Sequence, residues 1–121
     1  MNATKNPNGL YEIALLVKGK KKQKTIRALI DTGSTDCVCI YRVITTLQIK
    51  PIDFSPVSTL DAKKRRLVYD ANVEFDGTSL KVPIIRVEDI ADNGDFIIGM
   101  SVLSQCTIKY DGDVMHVDWN K

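Results

Sequence analysis

Two Asp-Gly pairs, Asp76-Gly77 and Asp111-Gly112, each stand between two apolar runs of strand length. Glycine takes positive φ without steric cost, so Asp-Gly between such runs specifies a tight hairpin. The same reading extends along the chain. Tyr11 to Val17 and Thr25 to Ile30 are strand-like and flank a Lys/Gly segment, so they form a hairpin. Val57 to Leu60 and Leu67 to Phe75 read as strands around a polar tip, Asp61 to Arg66. Ser79 to Val87 is a strand whose Pro83 suits a sheet edge. Phe96-Ile97-Ile98 is a short buried strand ended by Gly99, and Thr107 to Tyr110 and Val114 to Val117 flank the second Asp-Gly. Helix is confined to two short pieces. Val43, Ile44 and Leu47 share one face between Tyr41 and Leu47, and Met100 to Gln105 forms a brief turn of helix. The expected class is all-β, with seven or eight short strands and one or two helices.

The chain has 121 residues, the size of one domain, and no Pro- or Gly-rich linker divides it. Residues 1–121 are therefore expected to form a single domain, with the polar, turn-rich stretch Met1 to Gly9 as a loose arm. Apolar residues make up 44% and charged residues 26%, a globular balance rather than a disordered one. The net charge is +2. The cations cluster at Lys18 to Lys24 and at Lys63 to Arg66, both between strand-like runs and without interleaved aromatics. Solvated turns are the expectation there, and nucleic-acid binding is not. No apolar run approaches membrane-spanning length, and the N-terminus lacks a hydrophobic leader core. Cys37, Cys39 and Cys106 are an odd number of thiols, which suits a reducing, cytoplasmic or intracellular setting. Cys37-x-Cys39 with the single His116 falls short of a zinc ligand set, so no metal and no cofactor are expected.

The segment Ala28-Leu29-Ile30-Asp31-Thr32-Gly33-Ser34 carries the chemistry. A carboxylate just beyond a buried strand, on a tight turn, is held rigidly where it can face a cleft. Gly33 lets another chain approach the backbone closely, and the hydroxyls of Thr32 and Ser34 can fix the loop. Asp, Thr, Gly and Ser are also ordinary turn formers, so the tetrapeptide alone fits a plain surface turn equally well.

Phe96-Ile97-Ile98-Gly99-Met100-Ser101-Val102-Leu103 supplies the second motif, an apolar-apolar-Gly element followed by a short helix. With both motifs in this order the chain resembles the retropepsin-like aspartic protease family, over roughly Tyr11 to Tyr110. Asp31-Thr32-Gly33-Ser34 is similar to the family's active-site loop, and Ile97-Ile98-Gly99 to the strand that crosses beneath it. Ser104 to Tyr110 is similar to its C-terminal helix and last strand. The spacing of 66 positions from Gly33 to Gly99 leaves room for a flap hairpin and one more.

The resemblance implies a closed acid-protease barrel and an endopeptidase that uses no cofactor. Two close aspartates share one proton and activate a water against the peptide carbonyl. This chain has one Asp-Thr-Gly, so the second Asp31 is expected from a second copy about a two-fold axis, with Thr32 of each copy bonding across it. The implied partners are the chain itself and a peptide or protein substrate. Flap candidates are Leu60, Asp61, Ala62, Lys63, Lys64 and Arg65, although this tip lacks the glycines of viral flaps. Asp36 is a candidate substrate contact. Ser34 is expected to donate to the Asp31 carboxylate. Met100-Ser101 departs from the polar or charged residue common at that point, and the chain continues past Tyr110, where viral members end. The alternative from another class is a retropepsin-like dimerisation or peptide-binding module with little or no proteolysis.

Overall fold

The computed structural model describes residues 1–56, 65–75 and 77–120. Its strands are β1 (Asn2–Lys5), β2 (Tyr11–Lys18), β3 (Gln23–Ile30), β4 (Cys37–Ile40), β5 (Pro51–Pro56), β6 (Arg65–Phe75), β7 (Thr78–Val87), β8 (Phe96–Ile98), β9 (Cys106–Asp111) and β10 (Val114–Trp119). Two short helices, α1 (Tyr41–Thr46) and α2 (Met100–Leu103), follow β4 and β8. All strands join one sheet in the order β5-β6-β7-β4-β8-β3-β2-β1-β10-β9. A further pairing of β6 with β2, Val17 opposite Val73, closes the strands from β6 to β2 into a barrel. This is the retropepsin fold that the sequence motifs imply.

Strand alternation fills the barrel. On β2, Ile13, Leu15 and Val17 turn inward while Ala14 faces out. On β3 the pattern breaks, and Ala28, Leu29 and Ile30 are all buried. The end of β3 lies between β2 and β8 and is covered on both faces, so it carries no polar side. Among the described residues, Phe75, Phe96, Leu15, Leu47, Ile84 and Leu103 are the largest side chains fully removed from water. α1 buries Val43 and Ile44 together with Leu47, the face that the spacing indicated. Gln48, at φ 56°, ends that helix, and Pro51 opens the next strand.

The hairpins follow their turn residues. Gly77 and Gly112 have φ of 72° and 61° and join β6 to β7 and β9 to β10. Pro83 sits where β7 is paired on one side only. It faces Asp70 of β6, and the ladder to β4 begins at Ile84.

One expectation is corrected, and another falls on residues that are not described. The first nine residues are not a loose arm, because β1 is inserted between β10 and β2 with Ala3 buried. The Met1 ammonium donates to the Val117 carbonyl at 2.9 Å. Only one residue of β1 points inward, and one of its two partner strands is more than 100 positions away, so its polar sequence does not mark it as a strand. The strand expected at Val57 to Leu60 lies outside the described residues, and the strand described opposite β6 is an earlier one. β5 runs Pro51–Pro56 and pairs with β6 from Pro56↔Arg65 down to Pro51↔Tyr69. Prolines at both ends of β5 fit positions where a ladder bond is dispensable. Of the flap candidates, Arg65 opens β6, while Leu60, Asp61, Ala62, Lys63 and Lys64 lie outside the described residues.

Candidate active site

β8 lies between β3 and β4, parallel to the first (Leu29↔Ile97) and antiparallel to the second (Val38↔Ile97). The loop from Asp31 to Asp36 must therefore pass over the end of β8 to reach β4. Its start is pinned to the strand beneath, since Asp31 N–H donates to the Ile98 carbonyl at 3.1 Å. Ser34 N–H closes the turn on the Asp31 carbonyl at 3.2 Å. Gly33 N–H donates to Asp31 Oδ1 at 2.9 Å, so a backbone amide aims the carboxylate. The residue itself is exposed. A carboxyl side chain is thus held at the surface by the end of a buried strand.

Gly99 explains how close the layers come. A β-carbon there would stand 2.2 Å from the Asp36 carbonyl oxygen and 2.8 Å from that of Ser34. The loop rests directly on the backbone of Gly99, and glycine alone leaves space for it. The next two amides grip the loop, Met100 N–H on the Ser34 carbonyl at 2.7 Å and Ser101 N–H on that of Thr35 at 2.9 Å. The first amides of a helix have no partner within it, and here the loop supplies them.

The structure thus gathers Asp31, Thr32, Gly33, Ser34, Ile97, Ile98 and Gly99 in one place. Thr32 is exposed beside Asp31. Ile98 is buried under the loop and Ile97 is half-buried. Asp36, also half-buried, closes the loop through its carbonyl. Ser34 is a correction. Its hydroxyl donates to the Asp36 carbonyl at 2.7 Å and not to the Asp31 carboxylate. The turn brings the Asp36 carbonyl within reach, and a hydroxyl has a single hydrogen to give.

Sequence reasoning missed two sets of residues. Cys37, fully buried on β4, has its sulfur 3.5 Å from both Gly99 N and Ser101 Oγ. Burial, partly offset by these contacts, raises its pKa. Cys39 is pushed up to about 12, mainly by burial. The second set holds the turn before β8, where Asp92 and Asn93 have φ of 59° and 53°. Arg27 on β3 bonds both the Glu12 and Asp92 carboxylates, and Asn6 and Asn8 also bond Asp92. The Arg27 hydrogen bonds hold the Glu12 and Asp92 carboxyls below their ordinary values. Nothing local in the sequence relates Asn6, Glu12, Arg27 and Asp92, which come from four separate segments.

No family model matches the sequence, and no curated protein matches it. Solved structures do. A retropepsin-like aspartic protease from Rickettsia conorii superposes with a TM-score of 0.72 at 17% identity, over 98% of this chain and 90% of that one. EIAV protease, complexed with the inhibitor HBY-793, gives 0.63 at 13% identity, over 82% of this chain and 89% of that one. The retroviral protease-like domain of Ddi1 from Leishmania major gives 0.54 at 17% identity, over 87% and 88%. At these identities the likeness is one of fold.

Proposed function

We propose that this retropepsin-fold chain is one protomer of a homodimeric aspartic endopeptidase. The reading is carried by one observation, an exposed Asp31 carboxylate aimed by Gly33 N–H on a loop seated against Gly99. Such a carboxylate needs a second one nearby to activate water. No other acidic residue of the chain stands in an Asp-Thr-Gly context. A two-fold axis at the loop brings Asp31 of a second copy alongside, with Thr32 of each copy bonding across the axis. Two facing carboxylates cannot both ionise cheaply, so the pair holds one proton between them. The ionised member takes a proton from the bound water, the water attacks the scissile carbonyl, and the protonated member supports the oxyanion.

The sheet supports a route to that dimer. β9 ends the strand order, and its outer edge meets no other strand among the described residues. Its Tyr110 is 62% exposed. Pairing of β9 with β9 of a second copy extends the β1-β10-β9 layer across the axis. β1 is already paired within its own chain, so neither copy needs to exchange its first strand.

The test is cleavage of a diverse peptide mixture from about pH 4 to 7.5, a window that spans carboxylate titration. Native protein is compared with Asp31→Asn, with pepstatin as a second control. The expected result is cleavage that disappears in the variant and with the inhibitor. A folded, dimeric native protein that cleaves nothing would overturn the reading in favour of a peptide-binding module.

A further inference from the structure

The N-terminus of α2 spends three consecutive amides on three residues of the loop and its exit. Gly99 N–H meets Cys37 Sγ at 3.5 Å, Met100 N–H the Ser34 carbonyl at 2.7 Å, and Ser101 N–H the Thr35 carbonyl at 2.9 Å. Main-chain carbonyls receive the second and third of these, and any residue could supply them. The first is received by a side chain, so it is the one prong of this clamp that the identity of a side chain controls. The same sulfur lies 3.5 Å from Ser101 Oγ, which ties it to the helix a second time. Cys37 is fully buried, so an amide that lost this acceptor would have no water to replace it.

We propose that Cys37 is a positioning residue for Asp31. It acts as a side-chain acceptor that holds the exit of the active-site loop at a fixed height over Gly99. The thiol touches neither substrate nor the carboxylate. It acts through the loop, whose start is fixed separately by Asp31 N–H on the Ile98 carbonyl. With both ends fixed and the loop carbonyls seated against Gly99, the turn that carries Asp31 is held close to the strand beneath it. Burial favours the uncharged thiol, which can take the Gly99 hydrogen and still share its own with Ser101 Oγ. A side-chain hydrogen-bond acceptor, and not merely a small apolar side chain, is what this position requires.

The kinetic part of this inference rests on the proposed protease activity, and its structural part does not. Two variants of nearly equal shape separate hydrogen bonding from packing. Cys37→Val fills the site without an acceptor, and Cys37→Thr restores an oxygen on a β-branched frame that suits a strand. Amide hydrogen exchange is read at Gly99, Met100 and Ser101 in the full-length protein, and kcat and KM on any peptide it cleaves. Cys37→Val is expected to exchange faster at Gly99 and to lower kcat about tenfold, the cost of roughly one hydrogen bond, with KM within about twofold. Cys37→Thr is expected to recover most of both. If Cys37→Val does not fold, Cys37→Ala and Cys37→Ser provide the same contrast in a smaller volume. Unchanged Gly99 protection in Val or Ala overturns the inference, as does a Thr or Ser variant no better than its apolar counterpart. A native chain that cleaves nothing removes the protease reading, and the exchange measurements alone then decide the clamp.

Discussion

A β-carbon on Gly99 would lie 2.2 Å from the carbonyl oxygen of Asp36. The two residues are 63 positions apart, yet the loop bearing Asp31 can come this close to the strand beneath it only because residue 99 has no side chain.

Gly99→Ala is therefore expected to be severe. The atoms in the way are main-chain oxygens held by hydrogen bonds, not the yielding ends of side chains. Overpacking of this kind costs about 1–3 kcal/mol or more. Urea denaturation is expected to show at least that loss, and protease activity is expected to vanish even where the variant folds. A variant with native midpoint and native kcat would show that the loop has slack.

Mixing tests whether two copies share one site. In an equimolar mixture of native protein and Asp31→Asn, random pairing leaves about a quarter of dimers with both aspartates. At fixed native concentration, activity is expected to fall to about half once exchange is complete. A site contained in one chain would be indifferent to the added variant. Asp31→Asn itself is expected to keep the fold, because the amide oxygen can still accept from Gly33 N–H.

Ser34→Ala removes the bond to the Asp36 carbonyl and leaves the Asp31 carboxylate with the same donor as before. The expected outcome is a stability loss of about 1 kcal/mol with the acid limb of the pH–rate profile unmoved. A limb displaced to higher pH would mean that the hydroxyl serves the carboxylate during the reaction.

The Arg27 network gives the stability an acid dependence. Arg27 lowers the Glu12 and Asp92 pKa values from ordinary values of 4.5 and 3.8. A carboxylate with a lowered folded pKa stabilises the protein above its unfolded pKa. That contribution fades as pH falls through the folded value. The melting temperature is thus expected to decline as pH drops below about 4.5, beyond any general acid effect. Arg27→Met should lower it at neutral pH and flatten that decline. Parallel curves for native and variant between pH 3 and 7 would assign the dependence elsewhere.

The elements whose signals are local were legible in the sequence. Gly77 and Gly112 mark two hairpins because positive φ is cheap for glycine. Val43, Ile44 and Leu47 mark α1 because a helix repeats every three or four residues. Asp31 and Gly99 were legible as a pair because the loop and the strand beneath it each keep a recognisable local motif. β1 was not legible. It carries one buried residue, Ala3, and its place depends on β10 at the other end of the chain. The start of β5 was missed because prolines at both ends hid a strand that pairing with β6 defines.

The sequence by itself determined the β class, the hairpin turns and the identity of the exposed carboxylate, since each rests on conformational preferences within a few residues. Only the tertiary structure decided which atoms hold that carboxylate in place. It gave the Ser34 hydroxyl to Asp36, set Cys37 against Gly99, and closed Arg27 on Glu12 and Asp92. Those contacts join distant segments through the closed barrel. Their geometry is fixed by how strands pair and layers pack, which no local pattern encodes.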